Sequence, residues 1–461
     1  MPMGRPRCVV IVGGGIAGIA AALRLAEAGV AVTLLETRKK LGGRATSFTD
    51  VRSGLVLDNC QHVMLGCCTN FADFLARLGA SHMIRWHRRQ HWIEEGGRVS
   101  VLAPSPLPAP LHFGLSMLRI GFLTRAETRS LARACLAILA ADRAEHAHET
   151  FADYLARHGQ SERVIRRFWA PVVVSACNLA VDRVAASAAI HVFQEGFLAN
   201  ARAADIGVPA VPLVQLYDRA AAAIAAAGGV VLLGESVVHI DETSATTAEG
   251  RRFEADRVIC ALPVERVRRV VDAGILADDP RFARLDDFTH SPILGVHLLF
   301  DRPVLHLPHA VLVDRPTQWL FRKDDLGRSI HAVISAADDW LDLTEDRIAA
   351  RILDDLRACL PAARIGEPGG ATLLSARAVK EKRATFAPVP GIDALRPPAK
   401  PPHPRGVILA GDYTATGWPA TMEGAARSGY AAAAAALGLP AERLLVPPLR
   451  TAAIPRALAA V

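Results

Sequence analysis

Hydrophobic positions near the N-terminus fall in short unbroken runs separated by glycine. Cys8 to Val12 (CVVIV) and Val30 to Leu35 are β-branched apolar runs of the kind buried on both faces of a sheet. Between them, Ile19 to Ala28 reads as an Ala/Leu-rich helix. The same alternation returns at helix Leu216 to Ala227 with strand Val230 to Leu233, and near the end at strand Gly406 to Ala410 with a helix from Thr421 to about Leu437. In between, the pattern predicts a helix over Phe71 to Leu78, another over Leu131 to His148 and a mostly helical stretch from Phe151 to Phe197. Strands follow at Glu235–Ile240, Arg257–Leu262, Ser291–Phe300, Ala310–Leu312 and Ser329–Ser335, then an amphipathic helix from Thr344 to Leu360. No apolar run reaches the roughly 18 residues a bilayer crossing needs, and no tandem repeat appears.

The loop between the first strand and helix is Gly13-Gly14-Gly15-Ile16-Ala17-Gly18. Gly13 permits a tight turn, Gly15 lets backbone approach a pyrophosphate, and Gly18 lets helix and strand pack closely. The N-terminus of the helix offers unpaired N–H groups and a positive dipole end to that anion, and Ile16 and Ala17 in the loop before it count among the cofactor-binding candidates. Glu36, followed by Thr37, closes the second strand about twenty residues on, where an acid would bind a ribose. A basic start followed by an apolar run also resembles a secretory signal, but a signal needs neither the glycines nor the acid. The pattern predicts a dinucleotide site.

At 461 residues, two domains are expected. The net charge of +7 comes from arginines scattered among alanines, and aromatics are only 5% of the chain; both argue against nucleic acid. An anionic membrane surface or an acidic partner stays open. Eight cysteines form no CxxC pair and no metal-spaced array, so no metal is expected and a reduced, cytoplasmic protein is. Ala103 to Leu123 (APSPLPAPLHFGLSMLRIGFL) reads either as a buried helix or as an exposed lip that dips into a membrane and admits a lipid. In the second case Arg119, Arg125 and Arg129 would face headgroups, in peripheral contact with the inner face of the membrane.

Leu41-Gly42-Gly43-Arg44, just past Glu36, resembles the flavoprotein family of amine oxidases, phytoene desaturases and protoporphyrinogen oxidases. The resemblance implies FAD, with Gly42, Gly43 and Arg44 along its diphosphate. Gly411-Asp412 and the helix start at Thr421-Met422 resemble that family's second FAD signature, with Asp412 on ribityl or phosphate oxygens. The helix end would then face the flavin N1/C2 edge. In the wider family a segment like Ser236-Val237-Val238 binds the adenine edge, which assigns Val238.

Asp58-Asn59-Cys60-Gln61-His62, taken alone, is either a hydrogen-bonded turn or a site. Followed by Leu65-Gly66 and preceded by the GGR turn, it resembles the hydroxysqualene dehydroxylases, squalene-associated FAD-dependent desaturases of hopanoid synthesis. Cys60 stands where that family usually has glycine. The resemblance implies an α/β fold: a Rossmann-like FAD domain, discontinuous in sequence, plus an amine-oxidase-like α+β substrate domain with an antiparallel sheet. The FAD domain is assigned to 1–102, 208–275 and 376–440, the substrate domain to 103–207 and 276–375, and a tail to 441–461. It also implies hydroxysqualene as substrate and association with other squalene-pathway enzymes. His62 is the candidate acid for the departing hydroxyl, oriented and kept protonated by Asp58, with Gln61 positioning the hydroxyl or a water. Asn59 and Asn178 are candidate polar substrate contacts, and Tyr413 and Trp418 candidate π faces for a cation. The rival readings are a carotenoid-type desaturase or isomerase and, from another class, a non-catalytic FAD-containing lipid-binding partner.

Overall fold

The computed structural model describes residues 6–403 and 406–458, so the ends of the 1–102 and 441–461 segments lie partly outside the described residues. The apolar runs found in the sequence assemble into a five-stranded parallel sheet. Its order is Val230–Leu233, Ala31–Glu36, Cys8–Val12, Arg257–Cys260, Ile408–Leu409. Cys8–Val12 lies at the centre, and covering both faces explains its unbroken apolar character. On one face pack helices Ile16–Glu27 and Met422–Ala436. These approach so closely that a Cβ on Gly429 would overlap the Ala17 carbonyl. The other face is closed by a three-stranded antiparallel sheet beginning at Val237–Ile240.

A second, seven-stranded sheet carries the order Leu373–Phe386, His290–Phe300, Ser329–Ser335, Trp319–Arg322, His309–Leu312, Gln90–Ile93, Val99–Leu102. It is antiparallel except where His309–Leu312 meets Gln90–Ile93. Helix Glu345–Cys359 covers one face through Ile348, Ile352 and Leu356. Thr344 caps it, its hydroxyl accepting the Arg347 N–H. A helical layer built around Phe151, Tyr154, Trp169 and Phe193 completes the molecule.

Three expectations are corrected. Leu373–Phe386 is a fourteen-residue strand that the hydrophobic pattern missed, because it is only partly buried and carries Arg377, Lys380, Glu381, Lys382 and Arg383. It pairs with His290–Phe300 along its length, so the boundary at 375/376 cuts through a strand and residues 376–386 belong to the substrate sheet. Gln90–Leu102 likewise gives two strands to that sheet, which moves them out of the first FAD segment. The helix read over Leu131–His148 is Arg125–Ala140, started by a Thr124/Glu127 capping box. No helix among the described residues is long and apolar enough to cross a membrane.

Candidate functional site

A cavity of about 520 Å³ opens where the two sheets meet, above the C-terminal ends of the parallel strands. Glu36, Thr37 and Glu235–Val237 line one end, and Gly13, Gly15, Gly43 and Arg44 its middle. Cys60–Val63, Asn178, Thr385, Asp412, Thr421 and Met422 line the far end.

The glycine turn has the form its spacing required. Gly13 sits at φ +113°, and a Cβ there would stand 2.6 Å from the Ala261 carbonyl oxygen. A Cβ on Gly18 would overlap the Gly13 carbonyl, the close strand–helix approach expected of that position. At Gly15 the space is different: a Cβ would meet only Gly43 Cα at 3.9 Å, and otherwise would project into the cavity. Gly15 is the N-cap of helix Ile16–Glu27 with no side-chain cap, so the first N–H groups are left for a ligand. Gly42 donates to the Gly14 carbonyl at 2.9 Å, which folds the GGR turn back onto this helix start. Glu36 holds the turn from the other side, accepting the Gly14 N–H at 2.7 Å and the Arg38 N–H at 2.7 Å.

Arg44 crosses the cavity floor. Its Nη2 donates to Asp412 Oδ1 at 2.6 Å and its Nη1 to the Ala384 carbonyl at 3.0 Å. Thus the two FAD signatures, 368 residues apart, meet in one ion pair. Thr421 caps helix Met422–Ala436 by accepting the Gly424 N–H at 3.1 Å, which brings that helix start to the cavity wall. A channel bounded by two helix N-termini, side-chain-free glycines, an arginine and a ribose-side carboxylate fits a flavin dinucleotide.

Beyond it lies the loop Asp58–His62. Asp58 is buried, and its Oδ1 accepts Ser47 Oγ at 2.7 Å and the Leu213 N–H at 2.9 Å, while Oδ2 takes Lys323 Nζ at 3.1 Å. Lys323 also donates to Gln61 Oε1 at 3.0 Å, and Gln61 Nε2 donates to the His62 carbonyl at 3.2 Å. The expected Asp58–imidazole contact is therefore replaced. His62 Nδ1 pairs with the Cys60 carbonyl at 3.1 Å, and burial lowers the imidazole pKa below its usual 6.5. His297 Nε2 meets the Asp58 carbonyl at 2.8 Å and stacks on His331 at 3.9 Å, so two more imidazoles lie under the loop. Cys60 has no left-handed backbone, so glycine is not required there. Its thiol lines the cavity beside Phe321 and Val333, and burial pushes it up to about 12.

The remaining assignments divide. Val238 points away, half exposed, because strand alternation turns Val237 inward instead; Glu235, Ser236 and Val237 line that end of the cavity. Tyr413 is fully buried beneath Gly411, against Phe288, and presents no face to the cavity. Trp418 lies outside the cavity lining, edge-on to His191 at 4.7 Å with Arg427 over its ring. Asn178 lines the cavity, but its amide is spent within the protein: Nδ2 donates to the Ser291 carbonyl and Thr385, and Oδ1 accepts the Ala336 N–H. With φ +52° it is the left-handed C-cap of helix Ala170–Cys177. Asn59 donates to the Arg44 carbonyl and takes the Cys60 N–H, a positioning role for both neighbours. Lys323 carried no signal in the sequence; it stands just past a strand with no motif around it.

The architecture and site are those of an FAD-dependent oxidoreductase. Residues 16–437 match the family of flavin containing amine oxidoreductases, and the chain belongs to it. Among solved structures, an oxidoreductase from Methanosarcina mazei superposes with a TM-score of 0.70 at 18% identity, covering 92% of this chain and 98% of that one. A putrescine oxidase double mutant gives 0.70 at 18% over 93% and 98%. Relatives by sequence include the hydroxysqualene dehydroxylase of Rhodopseudomonas palustris, 29% identical over 93% of this chain and 97% of that protein. That of Zymomonas mobilis is 26% identical over 93% and 98%. The 15-cis-phytoene desaturase of Arabidopsis thaliana is 25% identical over 92% of this chain and 79% of the desaturase.

Proposed function

We propose that the protein replaces the hydroxyl of hydroxysqualene by hydrogen. The observation that carries this reading is the Asp58–His62 loop, cross-braced by Lys323 and presenting His62, Gln61 and Cys60 to the far end of the cavity. Similarity along nearly the whole of two hydroxysqualene dehydroxylases supports it. In the reaction the C–O bond breaks, oxygen leaves as water with one added proton, and bound reduced FAD supplies the hydride that forms the new C–H bond and is oxidised by two electrons.

This chain's residues supply the rest. His62 keeps Nδ1 on the Cys60 carbonyl, which leaves Nε2 to hand its proton to the departing hydroxyl. Lys323 and Gln61 hold the loop carrying that imidazole. Cys60 and Ile293, backed by Phe321 and Val333, form an apolar wall that keeps water from the cationic carbon.

The test is anaerobic. The flavin is reduced, hydroxysqualene is added, and flavin reoxidation is followed together with lipid products by mass spectrometry. Squalene formed in step with reoxidation supports the reading. The kinship with phytoene desaturases favours one second reading: reduction of oxidised flavin by phytoene, with no squalene formed, would establish a desaturase instead. No redox response to either lipid would leave a lipid-binding partner.

A further inference from the structure

Within the segment read in the sequence as buried helix or exposed lip, Ile120, Phe122 and Leu123 are buried, but residues 107–118 turn their leucines outward. Leu111–Phe113 forms a 3-10 turn that runs straight into a short helix, Gly114–Met117, with Leu118 still helical. Leu111, Leu115 and Leu118, spaced for one face of a helix, are 50%, 49% and 74% exposed. Leu107, just before them, is 44% exposed. The opposite face buries the polar residues: His112 is fully buried and Ser116 is 8% exposed. Neither nitrogen of His112 has a hydrogen-bond partner among the described residues. In water this arrangement is unfavourable on both sides, since leucines gain by burial and unpaired imidazole loses by it.

Charge frames the same stretch. Residues 103–123 contain no acid. Arg119 within them, and Arg125, Arg129 and Arg133 directly after them, are all exposed. The last three recur every fourth residue along one side of helix Arg125–Ala140, and none of the four has an ion-pair partner among the described residues. The acid in this stretch, Glu127, is neutralised by Arg163 and by the Thr124 cap. A leucine ridge beside unpaired arginines is the complement of a lipid bilayer with anionic headgroups.

We propose that Leu107–Leu118 docks in an anionic membrane surface, the leucines entering the acyl boundary and Arg119, Arg125, Arg129 and Arg133 meeting the headgroups. The proposal extends the lipid-substrate reading above, because a substrate of that class resides in the same bilayer. It does not depend on which lipid is turned over.

The experiment uses the FAD-loaded full chain and sedimentation with vesicles of phosphatidylcholine, with or without an equal part of phosphatidylglycerol. Wild type is expected to sediment with the mixed vesicles. Leu111→Ser/Leu115→Ser/Leu118→Ser and Arg125→Gln/Arg129→Gln/Arg133→Gln should each weaken binding about tenfold or more, the arginine set by removing the preference for anionic lipid. Leu118→Ser alone, at the most exposed position, gives a milder variant whose flavin absorbance checks the fold. Wild type left in the supernatant overturns the proposal, and so does undiminished binding by the leucine variants. Loss of a dimer in the leucine variants with vesicle binding intact would assign the face to a second copy of the chain. Turnover of detergent-dispersed substrate should be unchanged in these variants, so failure of the docking surface and failure of the proposed reaction are read separately.

Discussion

Lys323 Nζ lies 3.1 Å from Asp58 Oδ2, an ion pair between a strand end in the substrate sheet and the start of the cavity loop. Asp58 is 3% exposed and the lysine side chain 22%, so the carboxylate depends on this cation for its charge balance. Lys323→Met leaves Asp58 with two neutral donors and should cost about 2–3 kcal/mol, below the full cost of breaking a buried pair because the lysine is partly solvated. Lys323→Met/Asp58→Asn should recover more than half of that loss. Urea unfolding of these two variants and of Asp58→Asn alone measures both, and additive losses would show that the pair is uncoupled.

The glycines of the first turn separate folding from cofactor binding. Gly15→Ala places a methyl in the cavity without touching the apo fold, so it should keep the apo melting temperature and lose bound flavin. Gly18→Ala sets its methyl onto the Gly13 carbonyl and should lower the apo melting temperature as well. Flavin-to-protein absorbance ratios and apo melts decide it; equal melts for the two variants would contradict the packing described.

Strand alternation gives a sharp test at the Glu36–Val237 end of the cavity. Val238→Lys adds a charge to a half-exposed position and should bind FAD as wild type does. Val237→Lys turns the ammonium into the cavity and should release FAD. The opposite ranking would restore the assignment to Val238.

The pH dependence of the chemical step follows from His62. Burial depresses its pKa below 6.5, so the proton-donating form is populated only on the acid side of that value. The rate of flavin reoxidation by substrate should therefore fall as pH rises through a value below 6.5. His62→Gln should be slow and flat over the same range. A wild-type-like profile in His62→Gln would remove the imidazole from the proton path.

Stability should fall on acidification for a related reason. His309 is fully buried with no hydrogen-bond partner for either ring nitrogen among the described residues, and burial together with His87 and His91 lowers its pKa to about 3. The unfolded chain binds a proton there near pH 6.5 while the folded chain does not, so stability is lost as pH falls from about 6.5 toward 3. The slope for one such histidine is about 1.4 kcal/mol per pH unit. Melting curves from pH 7.5 to 5 should flatten by about one proton in His309→Phe.

The FAD half of the molecule was legible because each of its devices is local. The run Cys8–Val12 forms a strand with those same bounds, and the Gly13–Gly18 turn follows it directly. Thr421 caps the closing helix where a helix start was expected. A strand buried on both faces must be apolar throughout, and a phosphate turn must be glycine, so the residues themselves record the structure.

The other half was decided by contacts across the chain. Leu373–Phe386 is half-solvated and full of charge, and only pairing with His290–Phe300 makes it a strand. Asp58 finds its partner 265 residues away in Lys323, rather than four residues away in His62. Tyr413 and Trp418 are turned from the cavity by packing against Phe288 and His191. The sequence by itself determined the cofactor and the fold family, because a dinucleotide is held by backbone that short motifs dictate. The orientation of the cavity side chains, and the outward face of the Leu107–Leu118 segment, were set only in the tertiary structure. Those depend on which distant groups satisfy each buried donor, acceptor and apolar surface, and no local pattern encodes that.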